Sequence, residues 1–135
     1  MLLRFSRNAA GYLDAGGNIR GCEHYRDESV LTMKIIEKLS DKIADEIKDA
    51  DCYAKMALEY REQYPELARV VSNIAQQEMD HMASLHQIVV QIIDQYRRTN
   101  GDPPPAMQAV YDYLHAKHID KAAQVKAKIA MYKGQ

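Results

Sequence analysis

On either side of Pro65 the chain carries a stripe of residues at strict three-and-four spacing, and a helical hairpin satisfies both stripes at once. The first stripe is Ile36, Leu39, Ile43, Glu46, Ala50, Tyr53, Ala57 and Tyr60; the second is Leu67, Val71, Ile74, Glu78, His81, Leu85, Ile88 and Ile92. This spacing lines up each set on one side of an α-helix, as the a/d seam of packed helices does. The connection at Gln63 to Pro65 is so short that the second helix must return antiparallel to the first. Facing residues of an antiparallel pair have numbers with a constant sum. Tyr60 with Leu67, Ala57 with Val71, Tyr53 with Ile74, Ile43 with Leu85 and Ile36 with Ile92 all share one of two adjacent values.

The rest of the chain divides around this hairpin. Residues 1–27 are punctuated by Gly11, Gly16, Gly17 and Gly21 and hold no helical or strand period, so they read as an irregular arm. Residues 28–99 form the hairpin, with the first helix running to Tyr64 and Pro65 opening the second. Asn100-Gly101 is a helix stop, and residues 100–105 are a rigid linker in which Asp102 stands ahead of Pro103, Pro104 and Pro105 as the start of a third helix. Residues 106–135 hold that helix, which continues to about Lys133. Strand-like alternation is absent, so the fold class is all-α.

Composition removes several classes of function. A net charge of −1 gives no broad basic surface for nucleic acid. No run approaches the roughly 20 apolar residues that cross a bilayer, and Met1 to Arg7 lacks the apolar core of a secretory signal. The two cysteines, Cys22 and Cys52, have no CxxC spacing, which argues against a zinc ribbon or a rubredoxin-type iron site and for a reducing, cytoplasmic setting. Cys52 reads as a half-buried apolar filler.

Three ionisable residues interrupt the stripes. On the register set by the other pairs, Glu46 faces His81 and Glu78 faces Ala50, so all three fall within about one helical turn, roughly 5 Å. Glu78 and His81, three positions apart, project from one helix face. Taken singly, each is more often an edge residue whose head reaches water. Their coincidence in one layer points to metal, because buried carboxylates cost several kcal/mol each and no Lys or Arg of the stripes compensates them. Carboxylate oxygen and imidazole nitrogen without thiolate suit iron or manganese.

These residues resemble the ferritin-like superfamily, and its rubrerythrin branch most closely. Glu46 followed seven residues later by Tyr53, then Glu78-Met79-Asp80-His81 within IAQQEMDHMASLH, carry the resemblance, which covers about Val30 to Arg98. A complete bundle of that kind holds two hairpins, and this chain has one. Asp112-x-x-His115 in the third helix does not supply the second motif: Met107, Val110, Leu114, Ala122, Val125 and Ile129 define that helix's apolar face, and Asp112 lies well away from it. His118 lies on that face without a carboxylate partner and reads as a packed or interface histidine, while His86 reads as a surface or second-layer residue.

The resemblance implies a four-helix bundle completed by dimerisation, as in encapsulated ferritins, within a homodimer or a higher even homo-oligomer. Two copies of Glu46, Glu78 and His81 then supply four carboxylates and two imidazoles, balancing two divalent cations per dimer, iron or alternatively manganese. It further implies oxidation of ferrous iron by oxygen or peroxide at the subunit interface, with Glu46, Glu78, His81 and Tyr53 as the reactive set. Tyr53 is expected to hydrogen-bond a ligand carboxylate or act as a redox neighbour, although a tyrosine at helix spacing more often packs. A rubrerythrin-like peroxidase normally draws electrons from a rubredoxin-like iron site, for which this chain lacks the cysteines, so iron oxidation is the favoured activity. The competing expectation is a non-enzymatic helical structural or interaction protein that keeps the hairpin, within a larger assembly.

Overall fold

The computed structural model describes the backbone of residues 20–134 and the side chains of residues 28–134. Three helices occupy almost all of it: α1 (Arg20–Tyr60), α2 (Pro65–Asn100) and α3 (Pro105–Tyr132), with no strand among the described residues. None of them is long and apolar enough to cross a membrane. The arm expected over residues 1–27 lies outside the description up to residue 19, and α1 begins at Arg20 rather than Glu28.

Local chemistry sets the boundaries. Residues 61–64 reverse the chain between α1 and α2: the Tyr64 N–H donates to the Tyr60 carbonyl at 2.8 Å, and the Tyr64 carbonyl accepts from Ala68 at 2.9 Å. The Tyr60 and Tyr64 rings meet edge to face at 6.1 Å, and Pro65 occupies the first helical turn, where a missing N–H costs nothing. At the far end Gly101 takes φ +83° and donates its N–H to the Arg97 carbonyl at 3.0 Å, a left-handed stop that glycine adopts without strain. The residue capping α3 is Pro104 and not Asp102, and no side chain caps that end.

The core is a layer shared by all three helices. Ile36, Ile43, Ile47, Ala50 and Ala54 of α1 meet Ala75, Met79, Met82, Val89 and Ile93 of α2, and Met107, Ala122, Val125 and Ile129 of α3 join them. Full burial of a side chain such as Ile43 contributes about 1.5–3 kcal/mol. Toward the hairpin tip the buried residues Ala50, Ala54, Ala57, Ala68 and Ala75 have small side chains, which lets α1 and α2 approach closely.

Helix α3 packs mainly on α1. The Lys128 ammonium donates to Asp51 Oδ1 across that seam, and Lys55 holds the other carboxylate oxygen at 2.7 Å. Burial pushes the Asp51 carboxyl up, but the bonds to Lys128 and Lys55 outweigh it and hold the group below its ordinary value. The stabilisation this gives is therefore complete above the ordinary aspartate range and disappears as pH falls through the lowered folded value. Lys128→Ala leaves Asp51 with only its exposed partner, and is expected to cost about 1–2 kcal/mol in urea denaturation at neutral pH.

Candidate metal centre

The hairpin brings Glu46 of α1 opposite Glu78 and His81 of α2. His81 Nδ1 lies 3.6 Å from Glu46 Oε2 and 3.5 Å from Glu78 Oε2. One ligand atom from each of the three lies within 4.8 Å of the others. The expected pairing of Glu46 with His81 is therefore present, at the register read from the apolar pairs.

The chemistry of the donor set fits a divalent cation. Two carboxylates held together repel unless they share a proton or a cation. The hydrogen bond with Glu78 raises the Glu46 pKa most, burial and the Glu78 charge add to the rise, and His81 opposes it. A raised carboxyl pKa means that the folded chain holds a proton that the unfolded chain releases. Stability of the metal-free protein is thus expected to fall as pH rises from about 4.5 through the folded value. In Glu78→Gln that decline should flatten, a result that urea denaturation in chelator at stepped pH reads directly.

The three groups lie at the edge of the packed layer. In a single chain the side chains of Glu46 and Glu78 are 26% and 21% exposed and that of His81 is 61% exposed, whereas burial was expected. The reason lies in the width of α1's apolar face. Its buried residues include the column Ser40, Ile47 and Ala54, one position beyond the expected seam and turned toward α3. The column Leu39, Glu46, Tyr53 and Tyr60 is left half-buried on the other side. Asp51, which meets α3, stands roughly 140° around α1 from Glu46 at about 100° per residue.

Helix α2 repeats this asymmetry. Leu67, Ile74, His81 and Ile88 form one heptad column, in which Leu67 and Ile88 are 41% and 44% exposed, while Met79 and Met82 turn inward. An apolar strip on both helices thus flanks the carboxylate–imidazole group, on the side of the hairpin that α3 does not cover. Tyr53 packs half-buried against the core; its hydroxyl has no hydrogen bond among the described residues.

Several residues outside the group differ from expectation. Cys52 is exposed, not half-buried, because it falls on the outer side of α1. His86 is no surface residue: its Nε2 lies 2.7 Å from His115 Nδ1, and both rings are half-buried between α2 and α3. His118 is buried, as a packed histidine should be, and Asp112 is exposed and accepts from Gln108 at 2.9 Å. The His86–His115 pair joins elements separated by the proline linker, and no periodicity within one helix reports it.

The family model Rubrerythrin covers residues 37–133, which takes in most of α1 and all of α2 and α3. No curated protein and no solved structure matches the chain. A match over that span, joined to a Glu, Glu and His group on a helical hairpin, establishes that the chain belongs to the rubrerythrin family of the ferritin-like superfamily.

Proposed function

We propose that two copies of this chain pair through the exposed strip and enclose a di-iron site that oxidises ferrous iron, with Glu46, Glu78 and His81 of both subunits as ligands. The observation that carries this reading is the position of the group: partly exposed, flanked by apolar side chains, on the side of the hairpin opposite α3. One chain offers three donors, too few for a pair of ions. A second hairpin related by a two-fold axis doubles them and buries Leu67 and Ile88 in the same step.

In this arrangement Glu46 and Glu78 bind through carboxylate oxygens, and the cation charge offsets the repulsion between them. His81 adds an imidazole nitrogen from the same helix as Glu78. Tyr53, two turns from Glu46, lies within the strip, where the partner's approach shields it from water. Held by these residues, two ferrous ions would supply two electrons, one from each, to oxygen or peroxide.

The family typically binds iron, and iron is the metal proposed here, with manganese as the ion the same donors accept. Anaerobic ferrous loading followed by metal analysis and oxygen-uptake measurement tests the proposal. The expected outcome is about one iron per chain and oxygen-dependent ferrous oxidation. Metal-free protein of unchanged stability contradicts it and leaves the helical structural reading.

A further inference from the structure

We infer that His86 and His115, bonded to each other beside His118 at the α2–α3 seam, form an acid-sensitive latch whose second proton releases the middle of α3 from α2. The inference does not rest on the metal centre, which lies on the opposite side of the hairpin.

The geometry is that of one shared hydrogen. His86 Nε2 and His115 Nδ1 are 2.7 Å apart and the ring planes differ by 23° with centroids at 4.6 Å. With both rings neutral, one nitrogen donates and the other accepts. A first added proton enters at a far nitrogen and leaves the N–H···N contact in place, now charge-assisted. A second proton sets two N–H groups against each other across 2.7 Å, and the contact must open.

Burial and the neighbouring cations oppose that second charge, although an aromatic ring facing His115 does not. The ring of Tyr111 lies nearly parallel to His115, 5.7 Å away. On α3 the groups acting on His118 are His115, Lys117 and Lys121, and on α2 His86. His86 itself is acted on by His115. Asp94 and Asp112 act on the Tyr111 phenol together with Arg97, and among the described residues no charged group of α1 acts on His86 or His118. Burial, followed by these neighbouring charges, holds His86 and His118 below the ordinary imidazole value. A cavity of about 330 Å³, lined by His86, His118 and Lys126 among others, gives solvent protons a route to them.

The fold permits a local release. The middle of α3 lies between two anchors: Met107 with the Arg97–Gln108 hydrogen bond at 3.0 Å, and Val125, Ile129 and the Asp51–Lys128 pair. Contacts between α3 and α2 are sparse compared with those of α3 on α1, so few other interactions hold that seam shut. For bases whose neutral form the fold favours, the contribution is complete above the unfolded imidazole value, about 6.5, and is lost as pH falls through the lowered folded values.

Amide hydrogen exchange on the full chain, corrected for intrinsic rates, tests this between about pH 7.5 and about pH 5.5. Opening of amides 111–118 should rise about ten-fold on acidification, with amides 43–57 of α1 unchanged. The variant His86→Gln with His115→Gln replaces the pair by two side chains that can hydrogen-bond without titrating, and should lose most of that pH dependence, with His118 alone retaining its share. An α3 signal that ignores pH, or the same response in the double variant, overturns the latch. If that variant does not fold, NMR titration of the wild-type rings decides the matter. Two separated steps for the pair support it, and independent titration of both at the ordinary value overturns it.

Discussion

Replacing Glu78 with alanine is expected to abolish ferrous-ion binding while leaving the metal-free hairpin folded. Glu78 lies 3.5 Å from His81 and is the group that acts most strongly on Glu46. Its removal takes one carboxylate per chain, two per proposed site. Loss of outer-shell partners alone costs about 10–100-fold in metal affinity, so loss of a ligand should cost about 100-fold or more. Stability should move the other way. In the metal-free protein Glu78 repels Glu46 across a partly desolvated edge, so the alanine variant should be unchanged or up to about 1 kcal/mol more stable at neutral pH. Calorimetric titration with ferrous ion under nitrogen, paired with urea denaturation in chelator, reads both. Unchanged metal affinity in Glu78→Ala removes Glu78 from the ligand set.

The second large effect concerns association. Leu67→Lys with Ile88→Lys should convert the proposed dimer to a monomer that binds ferrous ion at least about 100-fold more weakly, although neither residue belongs to the metal group. Both side chains are more than a third exposed in one chain, so the monomer loses little by the change. In the proposed dimer both are covered, and a buried, unpaired ammonium there is costly. Sedimentation equilibrium reports the mass, and circular dichroism reports whether helix is retained. A double variant that remains dimeric with full metal binding would move the interface to another face.

Much of the hairpin was legible because two constraints acted on the same residues. Three-and-four spacing demanded helices on both sides of Pro65, and the short turn then fixed their register. Glu46 stands next to His81 in the structure for that reason. The depth of those residues was not legible. A helix with one neighbour has one buried stripe, whereas α1 has α2 on one side and α3 on another, so its face is wider than the seam. The column Ser40, Ile47 and Ala54 carries that second contact, and Ser40 disguises it as polar. The start of α1 at Arg20 was hidden differently. Residues 20–27 carry no apolar stripe, and the amphipathic period is the main signal by which a helix is read from a sequence.

The pair His86 and His115 shows a third limit. Each residue looks unremarkable on its own helix, because the contact depends on how α3 is set down beyond Gly101 and Pro103 to Pro105. The rotation of α3 about its axis follows from Val125, Ile129 and Lys128 meeting α1. Periodicity within α3 reports its apolar face but not the partner opposite each position.

Crystals of the protein soaked anaerobically with ferrous ion, measured at the iron absorption edge, address the pairing of the chains and the ligand set together. The expected map shows two anomalous peaks between two antiparallel hairpins, each within bonding distance of Glu46, Glu78 or His81 side chains drawn from both copies. Iron held by one chain alone, or peaks remote from these three residues, would contradict it.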